Sequence, residues 1–446
     1  MGMKNCDELY ISYLFPPSNQ PSGMTVFKRI VENNKRIDVI QGDFKSSNDI
    51  DEYVEPYINN RFYVSMESKQ DWAIFIFEYV KKGIKLIDKD YKRIYSRSWL
   101  MANHFLASEY KFRHPNVCWT AEFSDPLMYS LNNELRTFKE MIIDDEKYIS
   151  KINREIKKLG DDYPIIENKA SAYFIAEYLV YLFADKIIFT NENQRRIMVN
   201  QFPIDIKELV LSKSEIKPHP TLDNKFYHIK DAKLDLDEDY INLAYFGNEY
   251  YGKRHFENLF YAVGALNHKF KDKIKVHLYI SDDKLIQKLI PSDNFIVKKP
   301  LEYLEFLNAT TKFDILIVND AITKNDFESN PYLPSKLSDY MGSGRDIWAF
   351  YEDGSTLSGM DFKYKSNMGD YNDCLKQLVK ILEDFGYCDE DYGVNEDYIY
   401  DRLTQLNKLY ELEFKRRHRV KKELKKLKKE KSSKNSKIKR LIGKIE

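Results

Sequence analysis

Two successive α/β domains, each an open parallel sheet covered by helices and facing the other across a cleft, are what this sequence predicts. Three observations carry the prediction. Strand-like and helix-like segments alternate along both halves, the pattern of parallel sheets buried on both faces. The composition breaks between 215 and 238, where KPHPTLDNKFYHIKDAKLDLDEDY combines two prolines, many charges and weak periodicity, the mark of a linker. Finally, 446 residues exceed one ordinary domain, and 43% hydrophobic with 14% aromatic content supplies two cores. Domains at 1–222 and 223–395 follow, with a C-terminal helix and basic tail at 396–446.

In the first half, ELYISYLF (8–15) reads as a strand ended by Pro16 and Pro17. Met24, Phe27, Ile30 and Val31 then fall at helical spacing. RIDVIQGDF (36–44) is a second strand, and the long apolar run WAIFIFEYVKKGIKLI (72–87) a buried helix. RIYSRSW (93–99) and NVCWTAEFSDP (116–126) are strands flanking a helix from Met101 to Phe112. Leu131, Leu135, Phe138, Ile142, Ile149, Ile152, Ile156 and Leu159 form an apolar stripe in a charged segment. That segment, 131–159, reads as an inserted helical hairpin or a partner-binding arm. A helix at 169–183, the strand ADKIIFT (184–190) and a helix capped by Asn191 complete the domain.

The second half repeats the alternation. Its strands are INLAYFG (241–247), KVHLYI (275–280), NFIVKK (294–299), FDILIVN (313–319) and DIWAFY (346–351). Its helices are HFENLFYAVGAL (255–266), PSKLSDYMGSG (334–344), 367–385 and a long final one over 396–431.

Composition narrows the class of protein. No run of about 18 apolar residues exists, so no membrane-spanning helix is expected. The start MGMKNCDELYISYLF has no small-residue cleavage site and reads as a strand instead of a signal peptide, which points to the cytoplasm. Cys6, Cys118, Cys374 and Cys388 have neither metal-ligand spacing nor a paired pattern, as expected of free thiols in a reducing compartment. The net charge of zero conceals an asymmetry: residues 415–446 hold 16 Lys/Arg and 3 Asp/Glu, leaving an acidic body.

Three loops that follow strands have the composition to hold phosphate or sugar. FPPSNQPSGMTVFKR (15–29) places Ser22 and Gly23 at a helix start, where backbone N–H groups face a ligand, or else it is an ordinary proline-rich loop. YFGNEYYGKRHFENL (245–259) ends a strand with Gly247 and Asn248 and puts Lys253 and Arg254 before a helix. Two cations there neutralise a diphosphate, or form a solvated basic pair. NPYLPSKLSDYMGSGRDIWAF (330–350) opens a helix at Pro334 and sets Lys336 and Asp339 at i and i+3. A phosphate ligand and a ribose acceptor is one reading of that pair, a surface ion pair the other.

Together these loops resemble glycosyltransferase family 4, whose fold is GT-B, two Rossmann-like domains facing a cleft. The run SRSWLMANHFLASEYKFRHPNVCWTAEFSDP (96–126) is also similar to members with a Ser-Arg strand, a helix carrying His and a strand ending in Asp-Pro. The resemblance covers most of 7–414. It implies that Arg254, with Lys253, and Lys336 hold the donor diphosphate and stabilise it as it leaves. Asp339 would contact the donor ribose, with Ser335, Gly247 and Asn248 on the same donor side. Gly23 would admit the sugar phosphate to the first loop. His104 and Asp125 would line the acceptor side, although His104 alone reads equally well as a core histidine.

The family pattern has two acids separated by seven residues. Counting back eight from Asp339 gives Pro331, so the first acid is missing, with Asp326 and Glu328 nearby but out of register. The resemblance further implies transfer of a hexosyl or N-acetylhexosaminyl group from a nucleotide sugar with retention, and no metal. The implied acceptor is a cell-envelope polysaccharide, teichoic-acid-like polymer or lipid-linked glycan.

The tail FKRRHRVKKELKKLKKEKSSKNSKIKRLIGKIE (414–446) is a basic helix with a thin apolar edge. It suits an anionic membrane surface or anionic polymer, each cation near a leaflet adding about 1 kcal/mol, and so a peripheral place on the inner face of the membrane. Oligomerisation is the other expectation for it. Nucleic acid is disfavoured, because the aromatic interleaving of a single-strand binder is absent. A non-catalytic, glycosyltransferase-like partner subunit is the alternative to an enzyme.

Overall fold

The computed structural model describes residues 6–18, 20–44, 49–66, 72–136, 141–247, 257–266, 268–281 and 293–387, together with Lys408, Leu412 and Lys415. The first domain is a seven-stranded parallel sheet. Its strands are β1 (Glu8–Ile11), β2 (Ile37–Gly42), β3 (Ile58–Val64), β4 (Arg93–Arg97), β5 (Cys118–Glu122), β8 (Lys186–Phe189) and β9 (Ser214–Ile216), in the order β3-β2-β1-β4-β5-β8-β9. A small antiparallel pair, β6 (Ile142–Ile143) and β7 (Ala170–Ser171), stands apart from it. The second domain is a six-stranded parallel sheet of β10 (Ile241–Phe246), β11 (Ile274–Tyr279), β12 (Phe295–Lys298), β13 (Ile315–Asn319), β14 (Asp346–Tyr351) and β15 (Tyr364–Asn367), ordered β12-β11-β10-β13-β14-β15. Both sheets are doubly wound. The strand order reverses beside β1 in one and β10 in the other, where open α/β sheets bind ligands.

Burial explains the strand sequences. All six residues of β2 and of β10 are buried, so neither strand alternates between core and solvent, and Asp38, Gln41 and Asn242 are polar side chains buried among the apolar ones. The helix Ala172–Phe183 is apolar around nearly its whole circumference and packs inside the first core. A further cluster joins the domains: Phe27 and Ile30 of the helix Pro21–Asn33 meet Leu222, Phe226 and Tyr227 of the linker and Leu304 and Leu307 of the helix Tyr303–Thr310.

Some expectations need correction. Segment 131–159 is not a helical hairpin. Its described part is a turn bridged at Tyr129 and Leu135, the strand β6 and one helix, Glu146–Lys157. Ile149, Ile152 and Ile156 of that helix are buried in the first domain's own core, so this part of the stripe is covered, whereas Leu135 and Leu159 are exposed. Strands β3, β9 and β15 and the helices Ile204–Lys213 and Tyr303–Thr310 were not anticipated. The long C-terminal helix and basic tail lie outside the described residues apart from Lys408, Leu412 and Lys415. Among the described residues no helix is long and apolar enough to cross a membrane.

Gly23 has a reason inside the fold. A Cβ there would lie 1.8 Å from the Leu14 carbonyl oxygen, so the helix Pro21–Asn33 can pack on its preceding loop only through glycine. Because the obstruction is backbone, Gly23→Ala is expected to cost about 3 kcal/mol in urea denaturation. A loss below about 1 kcal/mol would mean that the loop yields easily.

Candidate functional site

The second domain's half of the site lies at its sheet reversal. Gly247 follows β10 with φ +135°, and a Cβ on it would come within 2.4 Å of Lys336 Nζ. Lys336 opens the helix Lys336–Gly342, and its ammonium sits 3.7 Å from the centroid of the Tyr245 ring. The strand-end glycine is therefore what lets the lysine reach the loop after β10. Asn248, Lys253 and Arg254 lie outside the described residues. Ser335, at the start of the same helix, makes no capping bond with its hydroxyl; its carbonyl accepts from Ser338 Oγ at 2.9 Å.

Asp339 faces the other domain. Its carboxylate pairs with Lys28 Nζ at 2.5 Å and accepts the Tyr303 hydroxyl at 2.7 Å. Lys28 also donates to Ser338 Oγ at 3.0 Å. Tyr227 of the linker donates to the Asp339 carbonyl at 2.7 Å. The i,i+3 pairing of Lys336 with Asp339 considered from the sequence is thus replaced by an ion pair between domains, buried on both sides.

The first domain contributes a charged cluster at the ends of β4 and β5. Glu122 is fully buried. It receives Arg29 Nε at 2.9 Å, Arg97 Nε at 3.1 Å and the Tyr95 hydroxyl at 2.8 Å. Burial alone would raise its pKa, but the two guanidinium groups outweigh that and hold the carboxyl at about 2. Arg97 Nη1 reaches Ser22 Oγ at 2.8 Å, and Arg29 Nη2 caps the carbonyls of Lys217 and Pro218 at 2.9 and 2.8 Å. His219 in the linker stands beside this cluster. Burial and then the charge of Arg97 push its pKa down to about 3, so its ring is neutral at ordinary pH.

His104 is a core histidine. It is fully buried, stacked edge-on against Phe123, and its Nδ1 lies 2.8 Å from Ser96 Oγ. Trp119 Nε1 donates to the same hydroxyl at 2.8 Å. Burial first, then Arg97, lowers the His104 pKa to about 3. The acceptor-side role expected of it is therefore replaced by a packing role.

Asp125 is half-buried in the loop after β5. That loop is held from beneath by Glu177, whose Oε1 accepts the N–H groups of Leu127 and Met128 at 2.8 and 2.9 Å. Burial raises the Glu177 carboxyl to about 7. A raised carboxyl binds its proton more tightly in the folded state, so stability falls as pH rises from about 4.5 to about 7. Glu177→Gln keeps the acceptor oxygen, and should remove a pH-dependent loss of up to about 3 kcal/mol over that window. Parallel pH profiles of unfolding for both proteins would show the assignment to be mistaken.

The loop from Ala321 to Pro334 closes the edge of the site. Buried Glu352 accepts Thr323 N, Lys324 N and Thr323 Oγ1, each at 2.7 Å, and pins its start. Asn191 Nδ2 donates to the Pro331 carbonyl at 2.9 Å, so the position where the family pattern has its first acid is a contact between domains. Sequence reading missed Lys28, Arg29, Arg97, Glu122, His219 and Tyr303. Lys28, Arg29, Arg97 and Glu122 stood inside segments singled out as motifs, but pairing across 310 residues, as Lys28 makes with Ser338, leaves no local signal.

No protein-family model and no curated protein sequence matches the chain. Solved structures do. HepE of Anabaena, in complex with UDP and glucose, matches with a TM-score of 0.52 at 9% identity, over 90% of this chain and 97% of that one. The E. coli trehalose-6-phosphate structure bound with UDP-2-fluoro glucose gives 0.51 at 10% identity, over 91% and 95%. An alpha,alpha-trehalose-phosphate synthase (UDP-forming) from Burkholderia xenovorans, in complex with glucose-6-phosphate, gives 0.50 at 9%, over 92% and 99%. At these identities the similarity is one of fold, and the fold is GT-B: two Rossmann-like domains, as the sequence predicted.

Proposed function

We propose that this protein is a glycosyltransferase that takes its sugar from a nucleotide diphosphate donor bound on the second domain. The observation that carries the reading is the placement of the Lys336 ammonium against Gly247 at the sheet reversal beside β10. A fixed cation where a diphosphate leaves lowers the barrier most when it needs no rearrangement. The UDP and UDP-sugar complexes among proteins of this fold support a nucleotide-sugar donor. Arg254 and Lys253 join Lys336 on the diphosphate in this proposal, with Asn248, Ser335 and Gly247 around it.

In the reaction, the bond from the anomeric carbon to the diphosphate oxygen breaks as the acceptor hydroxyl oxygen bonds to that carbon. The hydroxyl proton passes to the departing phosphate, so no protein base is required, and attack from the face the diphosphate leaves retains the configuration without a protein nucleophile. Asp339 takes the donor ribose after giving up Lys28. Asp125, on the loop held by Glu177, faces the acceptor. The transferred group is a hexosyl or N-acetylhexosaminyl sugar. The acceptor is a cell-envelope glycan, lipid-linked or anionic, with the 415–446 tail keeping the enzyme at the inner membrane surface. The tail's 16 cations support that location.

A thermal-shift panel against UDP, GDP, CDP, ADP and their sugar conjugates tests the donor site. A ligand at 100 times its dissociation constant should add about 2.7 kcal/mol of stability. A second reading, a non-catalytic partner subunit, is favoured by Pro331 at the acid position and by Asp339 being occupied by Lys28. It predicts no shift with any nucleotide.

A further inference from the structure

Five charged side chains are gathered where the domains meet: Lys28, Arg29, Arg97, Glu122 and Asp339. Their exposures are 3, 2, 3, 0 and 6%. Three cations therefore share two carboxylates almost out of reach of water. His219 adds no charge while neutral, and its Nδ1 is sealed from solvent with no partner among the described residues. Glu32 approaches Arg29 at 3.4 Å, but it is solvent-exposed and already bonded to Lys217 at 2.6 Å. The buried set keeps an excess of one positive charge, which is costly unless an anion accompanies it.

The bonding within the set is uneven. Lys28 is committed to Asp339 and Ser338, and Arg29 to Glu122 and two carbonyls. Arg97 uses Nε on Glu122 and Nη1 on Ser22, while its Nη2 makes no bond among the described residues. Arg97 ends β4, beside the reversal of the first sheet, and Ser22 lies in the first turn of the helix that follows β1. A guanidinium presents paired N–H groups in a plane, which suits a phosphoryl oxyanion better than a point charge does.

We propose that the first domain carries its own oxyanion subsite, centred on Arg97 with Ser22 and His219 beside it, which takes a phosphoryl group borne by the acceptor. This rests on the glycosyltransferase reading for the word acceptor, but not for the binding itself. The subsite is separate from the donor diphosphate site on Lys336, and it selects phosphorylated acceptors over neutral ones.

The test uses the full chain, inorganic phosphate as probe, and chloride at equal ionic strength as control. Phosphate should raise the melting temperature of the native protein, both without nucleotide and with the stabilising nucleotide at saturation. Ser22→Asp places a carboxylate beside Arg97 Nη1. It should raise the melting temperature without phosphate and weaken phosphate binding about tenfold or more, as one lost charge-assisted contact implies. Arg97→Lys keeps the charge but not the fork, and should weaken phosphate while leaving the nucleotide shift unchanged. The proposal fails if phosphate gives no shift, if saturating nucleotide abolishes it, or if Ser22→Asp is destabilised or still responds fully. Phosphate binding that needs Arg97, with no nucleotide bound at all, would keep this subsite and remove the donor reading instead.

Discussion

Lys336→Ala should lower nucleotide affinity by about 10- to 100-fold, the value of one or two charge-assisted bonds to phosphate. It should lower turnover further, by about 100-fold or more, because the charge it offsets grows as the diphosphate leaves. Gly247→Ala is the companion test. A Cβ at that position would lie 2.4 Å from Lys336 Nζ, and φ +135° is strained for any side chain. The alanine variant should therefore displace the ammonium and weaken the same ligand while every charge remains. Isothermal titration of both variants with the best nucleotide separates the outcomes. Unchanged affinity in Lys336→Ala would place the diphosphate elsewhere and leave the glycine with a purely local role.

The second large effect concerns stability. Glu122→Ala leaves Arg29 and Arg97 buried against each other without their shared carboxylate, and should cost about 3–5 kcal/mol in urea unfolding at pH 7. The titration of Glu122 gives an independent measure. Its pKa is held near 2 against an ordinary 4.5, so its contribution is present above about 4.5 and is lost as pH falls through about 2. That displacement corresponds to about 3 kcal/mol. Native protein should thus resist acid more than the variant does between those values. A loss under about 1 kcal/mol would contradict the burial of the cluster.

The fold was legible because its signal is local and repeated. Runs such as INLAYF and FDILIV declare strands buried on both faces, and the capping role of Asn191 was visible from its place before a helix. Strand β3 was missed because INNRFYV, at a sheet edge, exposes Asn59 and Asn60 in succession and lacks an apolar run. Strand β15, YKSN, has the same difficulty. The helix Glu146–Lys157 was seen as an apolar stripe, but the sequence does not say that the stripe turns inward.

The site divides along similar lines. Lys336 and Gly247 were recognised from strand–loop–helix order, and the structure brings them together. His104 was misplaced, because a histidine one turn into a helix looks the same whether the ring meets solvent or Trp119. The cluster around Glu122 was invisible for a different reason. Its charge balance exists only after β4, β5, the helix Pro21–Asn33 and the linker converge.

The asparagine contacts across the junction have a consequence for how freely the two halves can be exchanged. Asn133 bonds the carbonyl of Asp326, Asn191 that of Pro331, and Asn193 those of Asn330 and Gly354. Each one recognises main chain, which every substitution preserves. A chimaera that borrows a second domain from a distant homologue would keep this seam as long as the loop path is conserved. Side-chain pairs would have to travel matched, among them Lys28 with Asp339 and Ser338, Arg196 with Ser329 and Glu328, and Asp49 with Lys230. The second domain's sequence can therefore vary at the positions facing these asparagines while the main-chain bonds remain.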